Sequence, residues 1–168
     1  MRIDLTHDAA RSQTTTAALS TNENREQPGL TAARQRAREE GLAFAGAIDP
    51  VSAYEILAAD MAVLVDVRTI EERQLEGYVP HSLHVPWKTG AAMLKNPRFL
   101  KDLGTKVPRE AIVLFICRSG KRSADAAAAA AKGGYAAAFN VLEGVDGDAD
   151  TQEHAAGWRL RGLPWVQD

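Results

Sequence analysis

The sequence has one cysteine in 168 residues. A lone Cys117 excludes an internal disulfide and a cysteine-rich metal site. It also means that any modification needing a second thiol for its removal must be discharged by an outside partner. No segment approaches the roughly 20 consecutive apolar residues of a membrane span, so no membrane partner is expected. Met1 to Leu19 is interrupted by Arg2, Asp4, His7, Asp8 and Arg11 and lacks the apolar core of a secretory signal. A cytoplasmic protein is the default expectation. Neither sign of charge dominates, with 20 basic against 22 acidic residues and a net charge of −2. That balance gives no electrostatic footprint for nucleic acid. His81 and His84 have no obvious third ligand. Asp146-Gly147-Asp148-Ala149-Asp150 starts like a calcium loop but continues with Thr151 where glycine is required and reaches Gly157 where a bidentate glutamate belongs. Ser119-Gly120-Lys121-Arg122 lacks the upstream glycine and following hydroxyl of a phosphate-binding loop. Neither metal nor cofactor is expected.

The chemistry concentrates between Ala111 and Gly134. Ala111-Ile112-Val113-Leu114-Phe115-Ile116 is a continuous apolar run with β-branched and aromatic members, the pattern of a strand buried on both faces. Cys117-Arg118-Ser119-Gly120-Lys121-Arg122-Ser123 follows, with Ser119 and Gly120 able to make a tight turn, and then an alanine-rich run of high helix propensity. Cys117 therefore falls where a buried strand ends and a helix begins. Backbone N–H groups and the helix dipole favour negative charge there. Arg118, Lys121 and Arg122 add three cations. An electropositive, partly exposed setting of this kind favours thiolate over thiol. These residues predict a nucleophilic sulfur anion that meets an anionic substrate.

Elsewhere, short apolar runs alternate with helical patterns. Residues 1–30 are polar, without periodicity, and read as a disordered tail. Residues 31–45 read as a short surface helix and linker, with Thr31 as N-cap and Gly41 as stop. Residues 46–168 form the globular domain. Within it, Asp49-Pro50 starts a helix, Ala62-Val63-Leu64-Val65 is a buried strand, and Thr69 to Glu76 is a charged helix ended by Gly77. Leu83 to Val85 and Ala138 to Leu142 are short strands; Trp87 to Met93 and Pro97 to Leu103 read as helical turns. Ala155 to Arg161 reads as a last helix, and Trp87, Trp158 and Trp165 as packing anchors. Strands alternating with helices predict an α/β domain with a mainly parallel sheet. Ligands of such sheets sit at the carboxyl ends of strands, where Asp66 and Arg68 share an edge with the Cys117 loop. That pair is a candidate for orienting the loop, or an ion pair or capping group with Glu71 or Glu72.

Leu64-Val65-Asp66-Val67-Arg68, Glu72, Gly77-Tyr78-Val79-Pro80, the Cys117–Ser123 loop, Gly134-Tyr135, Asn140-Val141-Leu142-Glu143-Gly144, Trp158 and Gly162-Leu163-Pro164 together resemble a single-domain rhodanese, from about Ile48 to Val166. The resemblance implies a three-layer α/β/α fold with a five-stranded parallel sheet and the cysteine loop as active site. It implies a sulfurtransferase that takes sulfane sulfur from thiosulfate or a similar small anionic donor onto Cys117 as a persulfide. The sulfur then passes to cyanide, an external thiol or a protein acceptor. Arg118, Ser119, Gly120, Lys121, Arg122 and Ser123 would bind the substrate, with Arg118 matching the basic residue of thiosulfate-using members and Arg122 the loop-closing arginine.

Phosphatases and arsenate reductases of this fold carry Cys-x5-Arg; here Cys117 to Arg122 is the shorter Cys-x4-Arg of sulfurtransferases. A third possibility, a non-catalytic docking module, is opposed by the intact cysteine. Two departures stand out. His81 replaces the usual turn glycine, and Val145 replaces the second glycine before the last helix.

Overall fold

The computed structural model describes residues 27–148 and 156–168. The expected N-terminal tail lies, up to residue 26, outside the described residues, as do 149–155 of the acidic loop and the start of the last helix.

Helix α1 (Pro28–Glu40) begins three residues before the expected start. Pro28 takes the first helical turn, where its missing N–H leaves nothing unsatisfied, and Gln27, not Thr31, is the N-cap residue. The helix is not a bare surface element: Leu30, Ala33 and Ala37 are buried. It lies on strand β1 (Gly46–Ile48), a strand that the sequence pattern did not announce. A Cβ at Gly46 would stand 2.6 Å from the Ala33 backbone, so glycine permits this close contact. Helix α2 (Pro50–Ala58) starts as expected, with the Asp49 carboxylate accepting from the Ser52 amide at 2.9 Å.

Strand β2 (Val63–Asp66) leads through Thr69 into α3 (Ile70–Glu76) and then β3 (Leu83–His84). The stretch expected as helical turns from Trp87 is instead a two-stranded hairpin, β4 (Lys88–Thr89) and β5 (Leu94–Lys95). Gly90 (φ 71°) and Met93 (φ 53°) take left-handed backbone that a helix does not tolerate. Helix α4 (Phe99–Lys106), strand β6 (Val113–Ile116), α5 (Lys121–Lys132), β7 (Ala138–Val141) and α6 (Gly157–Leu160) follow.

Five strands form one parallel sheet in the order β1-β7-β6-β2-β3. Alternating side chains of β6 serve its two faces. Val113 and Phe115 join the core under α4 and α5, while Leu114 and Ile116 join the core with α1, α2 and α6. The result is the expected three-layer α/β/α architecture. Ala126, Ala127 and Ala130 are fully buried, letting α5 lie close on the sheet and aim its N-terminus at the loop after β6. Among the described residues, no helix is long and apolar enough to cross a membrane.

Candidate active site

Cys117 is the first residue after β6, at the carboxyl edge of the sheet. Its Sγ accepts from the Gly120 amide at 3.1 Å and lies 3.2 Å from Ser123 Oγ. Gly120 caps α5 with φ 96°, a left-handed conformation that turns the loop back over the sulfur. The segment after β7 straps this loop from outside. The Val145 amide donates to the Cys117 carbonyl at 2.9 Å, and the Asp146 amide to the Arg118 carbonyl at 3.0 Å. Gly144 makes that approach possible, because a Cβ there would collide with the Cys117 carbonyl oxygen. Val145, one of the two departures in sequence, is thus part of the strap and fully buried. His81, the other, takes left-handed backbone, with φ 66°.

The expectation of a partly exposed cysteine is corrected: Cys117 is only 1% exposed. Its position at the end of β6 puts the residue in the core under α5, and only the loop beyond it reaches solvent.

The three cations are not bare either. Arg122 makes a two-pronged ion pair with Glu72, both N–O distances being 2.8 Å. Glu72 is the third residue of α3 and also closes a capping box, its carboxylate accepting from the Thr69 amide while Thr69 Oγ1 accepts from the Glu72 amide. Burial acts to raise the Glu72 pKa, but the bonds from Arg122 and Thr69 outweigh it and bring it down to about 2. Arg122 is raised, chiefly by its bond to Glu72, against burial. Arg118 is exposed, 3.4 Å from Asp146 and 4.0 Å from Glu76. Lys121 lies 4.0 Å from Asp148. Ser119, Gly120 and Lys121 border a cavity of about 530 Å³ that Asn140 also lines.

Asp66 and Arg68 pair with each other, with Arg68 Nη2 2.9 Å from Asp66 Oδ2. The further partners are Arg73 on Asp66, and Glu76 and the Gly77 carbonyl on Arg68. The expected alternatives, Glu71 and Glu72, are not the partners: Glu72 is committed to Arg122 and to the α3 cap. The pair's bonds run toward α3 and the turn after it, away from the Cys117 loop.

Two contributors went unassigned in sequence. Glu72 could have been found from Thr69-Ile70-Glu71-Glu72, the spacing of a capping box. Asn140 is an amide in the middle of an otherwise apolar strand. Its Nδ2 donates to the Gly120 carbonyl at 3.1 Å, and its Oδ1 lies 2.6 Å from Ser123 Oγ.

The chain matches the family model of the rhodanese-like domain over residues 49–149. It is 40% identical to Rv0390 of Mycobacterium tuberculosis, whose crystal structure it matches with a TM-score of 0.66, covering 74% of this chain and 99% of that one. It is 37% identical over 120 residues to the RP600 homolog of Rickettsia rickettsii, an uncharacterized protein, covering 67% of this chain and 90% of that one. The polysulfide-sulfur transferase homodimer of Wolinella succinogenes shares the fold at 19% identity, with a TM-score of 0.53 and coverage of 90% and 89%. With its loop between β6 and α5 and its parallel five-stranded sheet, the chain belongs to the rhodanese-like domain family.

Proposed function

We propose that this protein is a sulfurtransferase that carries sulfane sulfur on Cys117 as a persulfide. Thiosulfate or a similar small anion is the donor, and cyanide, an external thiol or a protein sulfur is the acceptor. The observation that carries the proposal is the placing of Cys117 Sγ at the start of α5, where it accepts from the Gly120 amide with Ser123 Oγ 3.2 Å away, in a loop closed by Arg122. The Wolinella neighbour is itself a polysulfide-sulfur transferase.

The chemistry is a displacement at sulfur. The Cys117 thiolate attacks the outer sulfur of thiosulfate, a new S–S bond forms, and the old one breaks with its electron pair leaving on sulfite. An acceptor thiolate or cyanide then attacks the outer persulfide sulfur and releases the Cys117 thiolate. Neither step needs a proton carried by the protein, so preorganised donors at the sulfur are what the loop has to supply. Arg118 and Lys121, both exposed at the rim, meet the donor's sulfonate by exchanging their carboxylate partners. Because Cys117 is 1% exposed, the approach suits a donor that presents a single terminal sulfur atom.

The geometry disfavours a phosphatase or arsenate reductase. Arg122 is held by Glu72 at 2.8 Å, whereas a tetrahedral oxyanion in the loop needs that guanidinium free. The test is incubation with thiosulfate, polysulfide or a low-molecular-weight persulfide, followed by intact-mass analysis. One added sulfur, lost in Cys117→Ser, is expected. No adduct from any of the three donors overturns the proposal. Turnover of an aryl phosphate or arsenate without sulfur uptake would select the oxyanion chemistry, and inertness with capture of a protein partner would select a docking module.

A further inference from the structure

We infer that Asn140 is a positioning residue that competes with Cys117 for the single hydroxyl proton of Ser123 and so sets how readily the sulfur becomes an anion. The inference concerns the same loop as the sulfurtransferase proposal but rests on hydrogen-bond logic that does not require sulfur transfer.

The donors and acceptors allow one arrangement. The Gly120 carbonyl can only accept, so the amide group of Asn140 facing it at 3.1 Å is Nδ2. The other end, Oδ1, then faces Ser123 Oγ at 2.6 Å and has no proton to give. Ser123 must donate, and its only proton is spent on Asn140. Toward Cys117 Sγ, 3.2 Å away, Ser123 presents a lone pair. That suits a thiol, whose S–H can donate to the hydroxyl, and repels a thiolate. For the sulfur to ionise with full support, its proton leaves to water and the Ser123 hydroxyl rotates from Asn140 to sulfur. The Gly120 amide serves the sulfur in either state. After the rotation Asn140 Oδ1 loses its partner, and Asn140 is only 5% exposed, so that loss is felt.

Neutral asparagine therefore holds the hydroxyl in a position that opposes the anion, and substituting it moves the balance in a direction set by the substitute. Asn140→Leu cannot accept, which frees the Ser123 proton for sulfur. Asn140→Asp accepts more strongly and adds a negative charge beside the sulfur. The other charged groups around the loop are common to both variants: Arg122 with Glu72 from α3, Asp66 with Arg68 and Arg73, Arg118 with Asp146 and Glu76, Lys121 with Asp148, Glu143 with Arg161, and Arg36 and Asp49 on the cavity that Asn140 lines.

The experiment is a titration of the thiolate by its ultraviolet absorbance in the full chain, with Cys117→Ser as the blank, which needs neither a sulfur donor nor reagent access. Below the midpoint, Asn140→Leu is expected to carry about fivefold more thiolate at a given pH, the factor supplied by one net hydrogen bond. Asn140→Asp is expected to carry less than the unsubstituted chain. In a Ser123→Ala background the Leu effect should disappear. Shifts of both variants in one direction, or a Leu effect that survives Ser123→Ala, would overturn the inference. If Asn140→Leu fails to fold, Asn140→Ala, which likewise cannot accept, replaces it in both backgrounds with the same expected sign and the same loss in Ser123→Ala. Sulfur uptake by intact mass is scored separately, so a protein that takes no sulfur yet shows the opposed shifts leaves this inference standing and removes the transferase.

Discussion

Glu72 and Arg122, fifty positions apart, meet through two parallel N–H···O bonds of 2.8 Å each. The contact ties the first turn of α3 to the first turn of α5, so the loop over Cys117 is fastened at its far end. It also sets a pH signature. The Glu72 pKa is lowered from 4.5 to about 2 in the folded chain. A depressed acid contributes stability that is present above its unfolded value and lost as pH falls through the folded one. Glu72→Gln is expected to cost about 2 kcal/mol at neutral pH, the size of a hydrogen bond to a charged group. It should also flatten the acid limb of the stability curve between those two values. Denaturant melts of both proteins at a series of pH values measure this; a variant whose acid limb runs parallel to the parent's would show that the pair contributes nothing.

Gly144 is the second point of attachment. With φ 62° and the Cys117 and Arg118 carbonyls against it, the position has no room for a methyl group. Gly144→Ala is expected to push the strap from the loop and break the bonds to the Val145 and Asp146 amides. Sulfur loading should fall by at least tenfold, with stability reduced by about 2 kcal/mol or more, the combined cost of strained backbone and two lost hydrogen bonds. Gly162→Ala is the control, since that glycine has a similar φ of 72° and a Cβ there would meet nothing within 4 Å. It should lose stability alone.

The proposed nucleophile, the loop length and the parallel sheet are legible in sequence because each is local. An apolar run, one cysteine, three cations and a helix-forming run all lie within 24 consecutive residues. What is not legible is what the fold brings to that stretch from elsewhere. Glu72, Asp146 and Asp148 come from other elements and decide how much of the positive charge of Arg118, Lys121 and Arg122 remains uncompensated, while Asn140 from β7 holds the Gly120 carbonyl and the Ser123 hydroxyl. Strand β1 is only three residues, Gly46–Ile48, too short for a period-2 pattern to show. The hairpin after Trp87 hides because Met93 is not a residue that announces left-handed backbone.

The carboxylates at the rim lead to an electrostatic prediction. Asp146 lies 3.4 Å from Arg118, and Asp148 lies 4.0 Å from Lys121. Both repel a dianionic donor and occupy the cations it would use. Asp146→Asn with Asp148→Asn is expected to raise kcat/KM for thiosulfate about three- to tenfold at low ionic strength, the size of exposed charge effects near a doubly charged ligand. The gain should shrink toward unity in high salt and be smaller for a monoanionic persulfide donor. Steady-state rates against added salt test it. An equal gain for both donors, insensitive to salt, would place the effect in loop packing instead of charge.

Asp66 and Arg68 form a buried pair, and three variants separate support of the fold from orientation of the loop. The Arg68 side chain is 0% exposed and that of Asp66 2% exposed. Breaking such a pair from one side leaves a buried charge without its partner, at a cost of about 3–5 kcal/mol. Asp66→Leu is therefore expected to be severely destabilised, since Arg68 is left with the Gly77 carbonyl, a 3.4 Å contact to Glu76 and the face of Trp165. Arg68→Met should be milder, because Arg73 still reaches Asp66 at 3.0 Å. The double variant removes both charges and should recover much of the loss, as apolar replacements of buried pairs often do. Sulfur loading then decides the role. Asp66 sits in register with Ile116, the residue before Cys117, and its charge also acts on Arg122, so the pair reaches the loop through the strand that carries it and through the field at that guanidinium. Loading that returns with stability in the double variant makes the pair a support for β2 and α3. Loading that stays low in a refolded double variant assigns it to orienting the loop. The bonds of the pair run to α3 and Gly77, so the first outcome is expected.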